Sequence, residues 1–314
     1  LTMGACVNED LPQEPEVPGV YSVTTVSATD KDGTETKSIL TVDPCEIETL
    51  QVFAFDPASE KILIYGEGAG AALKGKPVTA YVEGVSSFEW CLPVGIELDI
   101  YAVANIGKII VPSTVDELLA MDDMRLTFDS LEDLNDHKAV PMHGILKGAV
   151  DTGDGNELVI KMKKVLARYD ISIAFEEFPE GTQVHRLTVR NAHKHATLFG
   201  SNEAAKSADD LTREMDYTTE DDLALLNAGE AITLYLPENM QTAVNGATST
   251  ADNWKEISDE NMTNMDFCSY MEIVYTTPDM TGTVSQNSMR VYFGKHPTAN
   301  FDIERNRKTN VRVK

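Results

Sequence analysis

The residues of this sequence whose types and spacing could do chemistry are a histidine pair, a glycine-lysine loop, four cysteines and many carboxylates. His193 and His195 bracket Lys194, and on a strand they would share one face. Such an HxH pair can hold a metal, but it needs further ligands. The only other histidine nearby is His185, so an exposed polar face is the expected reading and no metal site is assigned. Gly70 to Lys76 satisfies the GxxxxGK pattern of a phosphate loop. Pro77 stands where a magnesium-binding Ser or Thr belongs, and the following PVTAYVEGV reads as strand. A phosphate loop needs a helix N-terminus at that point, so nucleotide binding is not expected.

Asp151 to Glu157 (DTGDGNE) has calcium-loop flavour, yet it lacks the ligand spacing of an EF-hand, and a hairpin turn is expected. Cys6, Cys45, Cys91 and Cys268 form no CxxC pair, which excludes a zinc ribbon or a thioredoxin-type motif. The last three lie in apolar strand-like contexts and read as buried free thiols, with a Cys45–Cys91 disulfide left open. There is no GxSxG, no HExxH and no local Cys/His pair, and 51 acidic residues make chance carboxylate pairs uninformative. No catalytic residue and no cofactor is assigned, and an enzyme is not expected.

Those residues must be positioned by elements, and the pattern is that of strands. Leu158 to Phe175 alternates apolar and polar residues through most of its length. Period-2 alternation reads as strand, and the run is too long for one ordinary strand of about 5–6 residues. The step at Lys163-Lys164 is read as a junction between two units. At 314 residues the chain has room for two domains of roughly 150 residues each. Further strands are expected at Gly19–Ser27, Ser38–Val42, Ile47–Phe55, Lys61–Tyr65, Phe88–Val94, Glu97–Asn105, Gln183–Asn191, Ala231–Leu236, Cys268–Thr276 and Ser288–Gly294. Helices are few and short: Asp116–Met121, a turn at Asp129–Leu134, and Asp221–Leu226. The fold class is all-β: two antiparallel β-sandwich domains in tandem.

The charge balance narrows the partners. Asp+Glu 51 against Lys+Arg 26 leaves a net charge of -25, which repels phosphate backbones, so no nucleic-acid partner is expected. No run of apolar residues is long enough to span a bilayer as a helix. Leu1 to Cys6 (LTMGAC) is small-residue-rich and resembles the tail of a bacterial lipoprotein signal, with Cys6 as the lipid-bearing residue. The alternative is a cleaved signal remnant that carries no lipid. The acidic, Pro-rich VNEDLPQEPEVPG that follows reads as an extended tether. The expected organisation is thus residues 1–17 as lipobox remnant and tether, 18–163 as the N-terminal sandwich and 164–314 as the C-terminal sandwich.

Several phrases recur in a known order. They are CEIETLQVFAFD and VPMHG in the first half, then KKVLARYDISIAF, YLPENMQ (Tyr235–Gln241), CSYMEIVY (Cys268–Tyr275) and RVYFGKHPTANFDIERNRKTNV (Arg290–Val311). Together they resemble the Bacteroidales fimbrillins, the type V pilins. The resemblance implies a transthyretin-like first sandwich, export as a lipoprotein, and assembly with other fimbrial subunits into an outer-membrane-attached fimbria at the cell surface that supports adhesion. It also implies donor-strand exchange: a protease cuts after a basic residue, the first strand leaves, and a neighbouring subunit's strand fills the groove. By position that first strand is Val20–Ser27, with Val20, Tyr21, Val23 and Val26 as its candidate residues. The family's cut follows Arg, but the first Arg here is Arg125, so Lys31 and Lys37 are the candidate processing sites. The sequence ends at Lys314, directly after the ERN-containing strand, where stalk subunits continue into a donor segment. The expectation is therefore an anchor subunit that keeps its lipid on Cys6 and its first strand, or a tip subunit that accepts a strand and gives none. A host or bacterial surface receptor is a further expected partner. The alternative is a non-polymerising surface lipoprotein that binds glycan or protein ligands through one sandwich face. Exposed aromatics would favour it, and aromatic content is only 7%.

Overall fold

The structure, a computed structural model, describes residues 16–17, 19–30, 47–128, 139–153, 157–202, 204–212, 215–217, 219–241, 265–294 and 300–314. Cys6, Lys31, Lys37, Cys45, the strand expected at Ser38–Val42 and the helical turn expected at Asp129–Leu134 lie outside the described residues. The chain divides into two compact units. One takes the residues up to Asp30, Ile47–Met121 and His143–Met162; the other takes Asp122–Met142 and Lys163–Lys314.

The first unit begins with β1 (Glu16–Val17), β2 (Tyr21–Asp30), β3 (Thr49–Phe55), β4 (Ile64–Tyr65), β5 (Thr79–Glu83), β6 (Ser87–Pro93) and β7 (Glu97–Ala104). After α1 (Val115–Ala120) and β8 (Arg125–Thr127), a strand of the second unit, it closes with β9 (Met142–Val150) and β10 (Glu157–Lys164). Its main sheet has seven strands in the order β5-β3-β7-β9-β10-β2-β6. The two edges, β5 and β6, are consecutive in the chain and joined only by Gly84, Val85 and Ser86. Extended chain covers at most about 3.5 Å per residue, so these edges lie within about 14 Å of each other and the sheet must fold back on itself. That distance matches the spacing of about 10 Å between packed layers. Two backbone bonds fix the corner: Gly84 N–H to the Glu48 carbonyl at 2.8 Å and Ala28 N–H to the Ser86 carbonyl at 2.7 Å.

β3 and β7 are buried on both faces, as central strands of a folded sheet must be. Phe55 and Tyr101 meet edge to face at 5.4 Å between them. β10 alternates strictly, with Leu158, Ile160, Met162 and Lys164 inward. Gly144 on β9 lies directly over this row: a Cβ there would sit 2.7 Å from Ile160 Cγ2 and from Met162 Sδ, and 3.0 Å from the Lys161 carbonyl. The carbonyl cannot swing away, so Gly144→Ala is expected to cost about 1–3 kcal/mol by overpacking. Chemical denaturation measures this, and a cost near zero would contradict the close contact.

The parity of the buried residues changes between β10 and the next strand. β10 turns its even-numbered residues inward; β11 (Leu166–Ile173), which follows after Val165, buries Tyr169, Ile171 and Ile173. The second unit continues with β12 (Gln183–Arg190), β13 (Ala192–His193), β14 (His195–Thr197), β15 (Leu211–Thr212), β16 (Met215–Tyr217), α2 (Glu220–Asn227), β17 (Ile232–Pro237), β18 (Tyr270–Pro278), β19 (Val284–Tyr292) and β20 (Lys308–Val313). Its larger sheets are β17-β11-β20 and β16-β12-β18-β19, with small pairs β13-β15 and β14-β8. Tyr169 of β11 meets Phe293, beyond β19, at 4.8 Å between ring centres, joining the two layers.

Among the described residues the fold is all-β with two short α-helices. Both helices start on a capping threonine: Thr114 accepts from Glu117 N at 3.0 Å, and Thr219 from Asp222 N at 3.2 Å. The pairing is not antiparallel throughout. β2 runs parallel to β10, β20 parallel to β11, and β1 parallel to β4. A parallel neighbour needs a long crossover. Here β2 and β10 are at opposite ends of the first unit's chain, and β11 and β20 at opposite ends of most of the second's, so the intervening strands supply it.

Candidate functional site

β2 carries the candidate first strand, and it is an interior strand of the seven-stranded sheet. It pairs with β6 from Tyr21↔Pro93 to Ser27↔Ser87, and with β10 from Thr25↔Glu157 to Asp30↔Met162. Alternation then decides which side chains face inward. Thr24 and Val26 are fully buried and Ala28 nearly so. Val20 (73% exposed) and Val23 (61% exposed) point to solvent, so of the four residues singled out from the sequence only Val26 fills the core. Tyr21 is half-buried: its hydroxyl donates to the Val17 carbonyl and accepts from Gly66 N at 3.0 Å.

Polar side chains of β2 hold acidic groups next to it. Ser27 Oγ donates to Glu157 at 2.6 Å. Ser22 Oγ donates to Asp151, which is buried. Burial pushes the Asp151 carboxyl up, but the hydroxyls of Ser22 and Thr24 and the Gly153 N–H outweigh it and hold the carboxyl below its ordinary value. Two of those donors belong to β2. A depressed carboxyl stabilises the bound strand above the ordinary value of 3.8, and that contribution is lost as pH falls through the depressed one. Retention of β2 in a chain nicked between β2 and β3 should therefore weaken in acid. Separating the fragments at pH 3 and pH 7 tests this; equal retention would contradict it.

Next to β2, β6 contributes Trp90, which is 3% exposed and lies opposite Thr24. Cys91, beside it, is a half-buried free thiol; burial, with the Asp151 carboxylate, pushes it up. Cys268 is buried. The residues after the GxxxxGK loop run into β5, with no helix there.

The histidines are not one exposed face. His193 ends β13 and is buried, and His195 begins β14, with ring centres 6.1 Å apart. His185 stands elsewhere, on β12, and shares a hydrogen bond of 2.7 Å with Thr276. Among the described residues no group of three His, Cys, Asp or Glu is placed to hold a metal ion.

Sequence reading did not find the buried polar clamp of the second unit. Arg305 lies between Glu238, at 2.8 Å, and the carbonyl of Thr197, to which it donates at 2.6 Å. Glu238 also accepts from Asn202 N at 2.7 Å. Asn239 exchanges backbone bonds with Ile303 at 3.0 Å, accepts from Ala205 N at 3.2 Å and donates to the Phe267 carbonyl at 3.0 Å. Asn306 accepts from Lys164 N at 3.1 Å. The phrases PENMQ and ERN are thus the two halves of one network that ties loops to strands. The signal was in the sequence as recurring phrases, but nothing local says that they meet.

Residues 234–313, which include both halves of this clamp, match a family model described as a domain of unknown function (DUF4906). No curated protein matches the chain. Solved structures do. The tip fimbrial protein Mfa3 from Porphyromonas gingivalis, with a C-terminal truncation, is similar at a TM-score of 0.57 and 13% identity, over 94% of each chain. A fimbrilin (FimA) from Porphyromonas gingivalis is similar at a TM-score of 0.51 and 12% identity, over 93% of this chain and 90% of its own. A protein from Bacteroides eggerthii described as a cell adhesion protein has a TM-score of 0.51 at 12% identity, over 91% and 85%. This chain has the fimbrillin fold. At such identities the likeness extends to the path of the chain, and the side chains that line β2, Trp90 and the clamp are this protein's own.

Proposed function

We propose that the chain is a non-enzymatic structural subunit of a cell-surface fimbria, an anchor or tip rather than a stalk. It is exported as a lipoprotein, joins other fimbrial subunits by β-strand addition, and supports adhesion. The observation that carries this reading is the place of β2. It lies between β10 and β6 with Thr24, Val26 and Ala28 facing inward, and its chain connection to β3 runs through Lys31 and Lys37. A cut there severs the strand from the rest of the sheet. Its departure leaves two rows of unpaired backbone groups and a line of empty pockets, which is what an incoming strand recognises. The likeness in fold to a tip fimbrial protein and a fimbrilin supports the same reading.

The lipid belongs on Cys6, at the end of a small-residue run, and attaches the subunit to the outer membrane. A single acyl chain binds membranes only marginally, so an anchor subunit carries at least two. The intact mass of the chain recovered from its native cell surface tests this. A diacyl or triacyl increment on Cys6 is expected, and an unmodified Cys6 would remove the anchor reading. The ligand-binding alternative calls for exposed aromatics, and the exposed large apolar side chains of the described residues are aliphatic or methionine, such as Ile110 and Met280.

A further inference from the structure

The second unit contains a pocket whose charge runs against the composition of the chain. It has a volume of about 310 Å³, at the lower end for small-molecule sites, and its lining includes Arg125, His193, His195, Lys206, Ser201 and Asp210. The chain as a whole carries 51 acidic residues against 26 Lys and Arg. Here two cations and two imidazoles face a single carboxylate. That carboxylate is already engaged: Asp210 accepts from Lys206 N at 3.1 Å, from Ser207 N at 3.0 Å and from Ser207 Oγ at 3.0 Å. Arg125 comes from β8, His193 from β13 and His195 from β14, while Lys206 and Asp210 come from the turn before β15. Lys194 lies between the histidines, and β15 brings no titratable group. Glu238, beyond Asn202, is held by Arg305.

The hydrogen bonds define what each ring can do. His193 Nδ1 accepts from the backbone N–H of His195 at 3.1 Å, so in the neutral ring Nε2 bears the proton and is a donor. His195 Nδ1 shares a bond of 3.1 Å with Thr127 Oγ1. Burial pushes His193 down, and His195 adds to it. Burial also pushes His195 down, and the cations Arg125 and Lys194 add to it. An anion placed among these groups relieves that repulsion.

We propose that this pocket binds a small oxyanion, a carboxylate or sulfate on a sugar-sized molecule, with Arg125 and Lys206 supplying charge and the two imidazoles supplying donors. Arg125 pairs with an oxyanion in bidentate fashion, which gives the site its geometry. Binding strengthens as pH falls. His195 is held below its ordinary value of 6.5 and is favoured in its protonated form once the anion is present, whereas His193, whose Nδ1 accepts a backbone N–H, serves as a neutral donor through Nε2. The proposal is independent of the strand-addition reading, because it rests on no residue of β2, β6 or β10.

The test is an NMR titration of the histidine Cε1–H signals in the full chain, at low ionic strength, with glucuronate, with sulfate and with glucose, at pH 5.5 and pH 7.5. Neither anion changes charge over that range. Saturating shifts of His193 and His195 with at least one anion, none with glucose, and tighter binding at pH 5.5 are expected. Preference for glucuronate over sulfate identifies a carboxylated sugar as the source, and the reverse a sulfated one. Arg125→Gln, an exposed position that should not disturb folding, is expected to weaken binding about tenfold, the effect of losing one charge-assisted pair. His195→Gln is expected to remove most of the pH dependence while leaving binding at pH 7.5. Absence of saturation with both anions, equal shifts with glucose, or an Arg125→Gln variant that binds unchanged would overturn the proposal.

Discussion

Glu238→Gln is expected to destabilise the second unit by about 3–5 kcal/mol, because it leaves a buried guanidinium without its counter-charge. Glu238 and Arg305 have side chains only 6% and 10% exposed, and they lie 2.8 Å apart. The same change also weakens the acceptor for Asn202 N. Arg305→Ala should cost a similar amount, for the complementary reason that Glu238 is then the orphan. Removing both charges together should cost much less than the sum, since neither is left unpaired. Guanidinium unfolding of the two single variants and of Glu238→Gln with Arg305→Met measures this. Single-variant losses below about 1 kcal/mol would mean that the pair is only a surface-grade bridge. The network reaches Asn202, Asn239 and Asn306, so the loops at 197–206 and 300–306 should gain hydrogen-exchange in the single variants.

The second large effect concerns β2. Deleting the residues up to Asp30 is expected to leave the first unit unable to hold its fold alone. Each buried backbone group left unpaired costs about 1–3 kcal/mol, and β2 satisfies partners along both β6 and β10. Burial of Val26 adds roughly 1.5–3 kcal/mol. The sum is comparable with the whole stability of a domain, about 5–15 kcal/mol. Trp90, opposite Thr24 and 3% exposed, reports the event directly. With Trp254 replaced by Phe, the Trp90 emission should shift to the red in the shortened chain and return when a peptide of residues 19–30 is added. A peptide with Val26→Asp should fail to restore it, because a carboxylate cannot enter that pocket. A shortened chain whose Trp90 emission and unfolding midpoint are unchanged would show that the strand is dispensable.

The sequence reading and the structure agree where one face of an element is buried. Leu158 to Ile173 was legible as two strands because it alternates through most of its length and its parity changes around Val165. The helices at Val115–Ala120 and Glu220–Asn227 were legible from acidic first turns. β19 was seen only in its second half. Its first residues, from Val284 to Asn287, are polar or exposed, and an edge strand with solvent on both sides carries no alternation. Parallel pairing of β2 with β10 was not legible, since no local pattern names a partner at the far end of the unit. For the same reason Arg125 was noticed only as the first arginine, although it meets His193 and His195 in one pocket. Val20 and Val23 drew attention by residue type, whereas the pleat turns Thr24 and Val26 inward.

The central claim, that this chain is a fimbrial subunit built around a strand slot, is tested most directly on fibres sheared from its native cells. The measurement is mass spectrometry of the fibre fraction, reading both the presence of the chain and its N-terminus. The account predicts the chain in that fraction, either whole from an acylated Cys6, as an anchor, or beginning after Lys31 or Lys37, as a tip subunit whose slot has been opened. A chain found only as a monomer, absent from the fibres, would contradict it.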